Sequence, residues 1–389
     1  MPVMTDLGAS MFEGSSHTKS FLLGEDIAQT DASRMSAAAF IAYMPASPSG
    51  AENMSRSFGS WAAADNIALA EHKKIVEKIV FRIKFLLFFK LPIFTRKKQY
   101  WLFKTFLKPN GRNMQIYKYT AKAMNATLEI SLQAKTEIYA RSAAFDMFNR
   151  AKMIEETLSM FYPHSEIAII NSLKVGEVEQ VLETTAEALA GAMYASQLSK
   201  GALDVCMGEY FLKAKGKENI ENPRKAQFKF NPENFLIEKA ADGKIDLGSI
   251  GKGYALDVLA ENLVNEWGIE VAHFSFGGSS ILALNPPDGK DSWDCTFAGS
   301  KVDFKLANCA IGASGTAVQG NHIIDCRTGR TPENMPHRAW AIGENAMLCD
   351  AMSTAFMLLT KDEVREICAK ENMRAAFQQS ENSPVEFLA

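Results

Sequence analysis

Three glycines and a lysine crowd into residues 246–257, DLGSIGKGYALD, and the chain then reads as a helix. Gly248, Gly251 and Gly253 let backbone come close to a ligand. A helix N-terminus favours anions, and Lys252 adds a full positive charge there. A phosphate is the natural guest, yet neither common phosphate motif fits. The Walker A loop needs four residues between its first glycine and Gly-Lys, followed by Ser or Thr. The dinucleotide fingerprint runs G-x-G-x-x-G, whereas the order here is G-x-x-G-x-G. From the residues alone the stretch is either an anion cradle or a tight strand-to-helix turn with an exposed lysine.

Residues 346–359, AMLCDAMSTAFMLL, are apolar almost all round and predict a buried helix. Asp350 and Thr354 are set into it four residues apart, on one face. An unpaired buried carboxylate costs several kcal/mol, so Asp350 must meet a cation or strong donors. Magnesium suits, because it takes one or two carboxylates and completes its shell with phosphate oxygens and water. A buried salt bridge also suits, with Thr354 bonding back to the carbonyl of residue 350. Residues 320–332, GNHIIDCRTGRTP, have a strand-like centre and a turn-rich end. His322 is there either a ligand contact or a satisfied histidine. Residues 275–280, SFGGSS, form a second glycine turn, for close packing or as a ligand wall.

The elements that must position these residues read as α+β. Residues 126–132 alternate as a strand, residues 137–160 and 178–199 read as helices, and Gly201 is a good helix stop. Residues 229–249 read as short strands joined at Asp242-Gly243. Strands recur at 271–278 and 281–284, and a helix pair covers 346–370. Mixed strands and helices without regular βαβ alternation favour α+β over a parallel sheet. No repeat is visible. Residues 1–112 read as an N-terminal extension, loosely ordered to about residue 70, and residues 113–389 as the main domain.

Over 389 residues the net charge is only −3, so nothing points to a nucleic-acid partner. The six cysteines are scattered without a C-x-x-C pair, which argues for free thiols rather than a zinc site or a disulfide scaffold. No signal peptide or lipobox cysteine is visible, and the expected compartment is the cytoplasm. Residues 79–94 are apolar but carry Arg82, Lys84 and Lys90. Each costs ~2.5–3.5 kcal/mol at mid-bilayer, against ~0.3–0.6 gained per large apolar residue, so the segment does not span. The basic stretch 73–108 is consistent with an amphipathic helix, either lying on an anionic membrane surface or packed on the main domain.

Taken together, the motifs resemble the FAD:protein FMN transferases, the ApbE-type flavin transferases. MNAT at 124–127 resembles the family's M-G-T-T, and LSMFYPHSEIAIIN at 158–171 its L-S-x-Y-x-P-x-S-E-x-x-x-L-N. GALDV at 201–205 is similar to G-A-F-D-P, and residues 246–257 to D-L-G-G-I-A-K-G-Y-A-x-D. HIIDCRTG at 322–329 resembles H-I-I-D-P-R-T-G, and CDAMSTAFMLL at 349–359 resembles A-D-A-L-S-T-A-x-x-x-L. The resemblance implies an α+β flavin-transferase fold. It implies FAD contacts at Met124, Ala202, Leu203, Asp204, Asp246, Lys252 and His322. It also implies a magnesium site from the Ser249 carbonyl, Asp350 and Thr354. Lys252 would assist electrostatically, with His322 and Asp325 as candidate bases. Phe161 stands where the family has a flavin-contacting Tyr, Asn125 replaces a glycine, and Cys326 replaces a proline, which should loosen that turn.

The implied reaction is attack by a Ser or Thr hydroxyl of an acceptor protein on the FMN-side phosphorus of FAD, with AMP leaving. Two alternatives use the same residues: hydrolysis of FAD to FMN and AMP, and flavin binding without catalysis.

Overall fold

The computed structural model describes residues 114–296, 303–316 and 323–388. The N-terminal extension, its basic stretch and His322 lie outside them.

Two hairpin strands open the described chain, β1 (Gln115–Ala123) and β2 (Ala126–Ala134). Met124 and Asn125 both sit at φ 54°, the left-handed pair that a two-residue hairpin loop needs. Asn tolerates that region better than most residues, which accounts for its standing where the family has glycine. Helix α1 (Glu137–Leu158) follows, its N-terminus capped by the Thr136 side chain. Its buried residues Ala140, Ala143, Ala144, Met147, Ala151, Ile154 and Leu158 recur at helical spacing, and small side chains bring it close to the sheet.

Next come α2 (Glu166–Ser172), β3 (Val178–Gln180) and α3 (Glu183–Leu198). The helix expected from residue 178 begins only at 183. Residues 178–180 instead pair antiparallel with β5 (Leu236–Ala241), and the Leu182 N–H is taken by the Glu166 carboxylate at 2.9 Å. Long-range pairing overrides the local pattern. A 3-10 turn at Val205–Met207 leads to α4 (Gly208–Ala214), then to β4 (Gln227–Asn231) paired with β5. Asp242-Gly243 does not join those strands. It ends β5, and a Cβ on Gly243 would lie 2.4 Å from the Ala226 nitrogen, so the glycine serves a close backbone crossing.

The rest of the chain supplies α5 (Gly251–Trp267), β6 (Ala272–Phe276), β7 (Ser280–Ala283), β8 (Trp293–Thr296), β9 (Asp303–Leu306) and β10 (Cys309–Gly315). It ends with β11 (Arg338–Gly343), α6 (Ala346–Phe356), α7 (Lys361–Glu371), β12 (Arg374–Gln378) and β13 (Glu386–Leu388). An eight-stranded antiparallel sheet runs β1-β2-β6-β7-β10-β11-β12-β13. The fold is α+β, as expected.

The central strands are buried on both faces, and period-2 alternation sorts them. Phe274, Phe276, Leu282, Ala310, Ala339 and Ala341 face the helices. Ile281, Ala283, Ile311, Trp340 and Ile342 face the opposite side, where the β8–β9 hairpin covers them with Trp293, Cys295, Phe304 and Leu306. No helix among the described residues is long and apolar enough to cross a membrane.

His273 lies on that second face, its Nε2 3.3 Å from the Cys295 sulfur and its ring 5.6 Å from that of Trp293. Burial, helped by the charge of Lys118, pushes its pKa down to about 4. An unfolded histidine titrates near ~6.5, so between these values only the unfolded chain takes up the proton. Stability must therefore fall as pH drops through that window. Urea unfolding at pH 7 and pH 5 should show wild type losing about 2 kcal/mol more than His273→Gln does. Equal losses would mean that the folded imidazole titrates freely.

Candidate active site

The glycine-lysine turn is built from Asp246. Its Oδ1 accepts the Gly248 N–H at 2.9 Å, an Asx-type turn, while its own N–H donates to the Val205 carbonyl at 2.9 Å. The carboxylate is buried, and Lys215 Nζ approaches its Oδ2 at 3.4 Å. Gly251 N–H then donates to the Leu247 carbonyl, and α5 starts. A Cβ on Gly251 would lie 3.2 Å from the Met124 methyl, so the tip of the β1–β2 hairpin folds over this turn.

The segment 201–205 lies against the turn at 325–329. Cys326 N–H donates to the Ala202 carbonyl at 3.0 Å, and the Cys326 sulfur sits 3.7 Å from the Asp204 carbonyl. Ala202 and Leu203 are buried side chains, so they offer a ligand backbone only. Asp204 caps the 3-10 turn through the Cys206 N–H at 2.9 Å and pairs with Lys225 at 2.6 Å. The turn itself is not loosened by losing proline. Asp325 Oδ1 accepts the Arg327 N–H at 2.9 Å, and its carbonyl accepts the N–H groups of Thr328 and Gly329. Burial pushes the Cys326 thiol up to about 12, which makes it an inert filler rather than a nucleophile.

Asp325 is also clasped by the Arg327 guanidinium, Nε to Oδ1 at 2.9 Å and one terminal nitrogen to Oδ2 at 2.6 Å. Burial alone would raise its pKa, but these hydrogen bonds and the adjacent charge hold it below the usual carboxylate range.

Asp350 stands where α5, α6 and the sheet meet. Its Oδ2 accepts the Gly253 N–H at 3.0 Å, and its Oδ1 accepts the Ser280 hydroxyl at 2.8 Å. Lys252 Nζ lies 3.5 Å from Oδ2. Ser280 is the register partner of Gly312 on β10. A Cβ on Gly312 would lie 2.2 Å from the Cys349 carbonyl oxygen, and one on Gly253 2.2 Å from that of Ala346. Glycine at both positions seats the first turns of α6 directly on the sheet and on α5. Asp257 completes the junction by accepting the Ala346 and Met347 N–H groups at 2.9 and 2.8 Å.

The back-bond to the Asp350 carbonyl comes from Ser353 at 2.8 Å, not from Thr354. Thr354 Oγ1 instead meets Ser314 Oγ at 2.8 Å, and Ser314 in turn meets Ser353 Oγ at 2.9 Å. One carboxylate and a set of hydroxyls therefore converge. These are hard oxygen donors, the chemistry that magnesium prefers. Among the described residues no group of three or more His, Cys, Asp or Glu converges as a protein-only metal cage. Three residues before Lys252, the Ser249 hydroxyl is buried without a hydrogen-bond partner among the described residues. Such an orphan costs ~1–3 kcal/mol and marks a place where a polar guest would be welcome. The donor set fits the cation.

The model of the ApbE family matches residues 124–377. The chain belongs to the ApbE family. It is accordingly an enzyme of the transferase class. A curated FAD:protein FMN transferase of Vibrio cholerae is 25% identical over 238 residues, 54% of this chain and 71% of the relative. One from Haemophilus influenzae is 23% identical over 256 residues, 57% and 74% of the two chains. The solved flavin transferase ApbE from Vibrio cholerae superposes with a TM-score of 0.61 at 18% identity, covering 70% of this chain and 96% of that one.

Within the ApbE fold, the sequence-derived residues form two adjoining groups. Lys252 and Asp350 lie with Met124 around the start of α5, and Thr354, one turn further along α6, lies against Ser314 of β10. Ala202, Leu203 and Asp204 lie with Asp325 beside them, and Asp246 joins the groups through Val205. Sequence reasoning missed Ser314, Lys215 and Lys225, and it quoted Asp257 as the end of the glycine-lysine motif without giving it a role. Ser280 was noted only as the end of a glycine turn. The motif's closing Asp257 was the one available signal; the others carried none.

Proposed function

We propose that this site moves the FMN half of FAD onto a Ser or Thr hydroxyl of a target protein. The hydroxyl oxygen would attack the FMN-side phosphorus, the bond from that phosphorus to the bridging oxygen would break, and AMP would leave. What carries the reading is Asp350, a buried carboxylate faced by Lys252 from a glycine turn, in a chain of the ApbE family whose curated relatives are named for flavin transfer.

Asp350 and Thr354, with Ser249 beside the turn, would hold Mg²⁺, which when bound neutralises charge developing on the pyrophosphate. Lys252 and the start of α5 would orient the phosphates. The backbone of residues 202–203 and the Met124 hairpin would flank the nucleotide. Asp325, clasped by Arg327, is left to hold its turn. His322, three residues before it, stays the candidate base.

Incubation with FAD, Mg²⁺ and a candidate acceptor, read by intact mass, tests this. The expected result is an acceptor heavier by one FMN moiety, with one AMP released per adduct. Free FMN and AMP without an adduct would assign a pyrophosphatase. Neither product would leave a flavin-binding protein.

A further inference from the structure

The contacts around Asp350 are unequal. The Gly253 N–H and the Ser280 hydroxyl reach it at 3.0 and 2.8 Å, ordinary hydrogen-bond lengths. Lys252 stands off at 3.5 Å, where a charge-assisted hydrogen bond would close to ~2.7–2.9 Å. The carboxylate is thus held in place by the backbone of α5 and by β7. The lysine supplies charge and little else. It is also the one partner able to move: its side chain keeps 22% of its surface exposed, whereas that of Asp350 keeps 6%. Its four-carbon stem rises from the first turn of a helix, where a diphosphate would be drawn.

We propose that Lys252 is the resident counter-ion of Asp350, holding the place of the divalent cation until the dinucleotide's phosphates draw the ammonium away. This rests on the reading of Asp350 as a metal ligand. Two cations cannot crowd one buried carboxylate oxygen without strong repulsion, so ammonium and metal exclude each other at Oδ2. Without nucleotide the ammonium has nowhere better to go, and the metal must displace it into water or share the site. With a diphosphate bound, the ammonium gains an anion within reach and the carboxylate becomes available. Metal and dinucleotide then bind with positive coupling, and by linkage each raises the other's affinity by the same factor. A buried acid is kept neutralised in the empty enzyme, and metal is taken up chiefly when there is a phosphate for it to act on.

The test uses Mn²⁺ alone as probe, with free ion counted by its spin resonance, on the full-length protein without flavin. Wild type should bind weakly. Lys252→Gln, which removes the competing charge, should bind Mn²⁺ at least about tenfold more tightly, a modest allosteric coupling by usual standards. Lys252→Arg keeps the charge and should bind as weakly as wild type. Melting curves of each variant confirm that the folded protein is being titrated. Equal Mn²⁺ affinity in wild type and Lys252→Gln, with binding abolished by Asp350→Asn, would overturn the place-holder role and leave the metal site standing. If Asp350→Asn does not alter the tight binding of Lys252→Gln, the metal assignment fails, and the place-holder role fails with it.

Discussion

Asp350→Asn should reduce flavin transfer by at least about 10²–10³ while leaving most of the fold's stability in place. The asymmetry follows from the contacts. An asparagine oxygen can still accept the Gly253 N–H, and its amide can donate to Ser280, whose hydroxyl then turns to accept. Lys252 loses its counter-ion but is exposed enough to reach water. The structural loss is therefore a charged hydrogen bond and ion pair, about 1–3 kcal/mol. At ~2–4 °C per kcal/mol for a domain of this size, the melting temperature falls by several degrees.

The chemical loss is larger, because the carboxylate charge is what holds a cation against the pyrophosphate. FAD affinity should drop less than transfer, since neither end of the dinucleotide needs the metal. Ser280→Ala separates the two contributions. It removes one hydrogen bond from Asp350 and leaves the charge, so it should cost about 1 kcal/mol of stability and far less of the activity. A destabilised Asp350→Asn enzyme with full activity per folded molecule would reduce Asp350 to a structural ion pair with Lys252.

Asp350 was legible in the sequence because a lone carboxylate in an apolar helix demands a partner whatever the fold. The glycine-lysine turn stood out as a candidate, but the sequence left it open between an anion cradle and a tight turn, and Gly253 is in fact required by the close passage of Ala346. What supports them was not legible. Ser280 and Ser314 are ordinary strand residues, and only the alternation and register of β7 and β10 turn both toward α6. The start of α3 was misplaced because residues 178–180 pair with a strand more than fifty residues away. Asp242-Gly243 looked like a hairpin turn, although its glycine is required by the close passage of Ala226. In each case the deciding contact is distant in sequence, where local pattern has no purchase. The helix α6, by contrast, was placed at its first residue and overrun by only three at its end, because its burial is nearly complete and its composition says so.

Gly312→Ala should impair the enzyme severely although Gly312 touches no proposed ligand. Its absent Cβ leaves room for the backbone of α6: a methyl there would meet the Cys349 carbonyl oxygen at 2.2 Å, its carbon at 2.5 Å and the Asp350 nitrogen at 2.8 Å. All three are main-chain atoms of a helix pinned by Asp257 and by Gly253, so no side chain can swing aside to relieve the clash. The helix must lift, and by about 1 Å to restore ordinary contact. Overpacking of this kind costs about 1–3 kcal/mol. The same lift carries Asp350 away from Ser280 and from the start of α5, and a 1 Å misplacement of a reacting group can cost about 10² in rate.

Gly343→Ala is the matched control on the neighbouring strand β11. There the added methyl would meet only side-chain atoms, Met373 Cγ at 3.2 Å and Cys349 Sγ at 3.4 Å, which can give way. Its cost should be slight in both stability and transfer. Melting temperature and AMP release measured on both variants decide the matter. If Gly312→Ala is as mild as Gly343→Ala, then α6 is not held against the sheet tightly enough for its seating to set the position of Asp350.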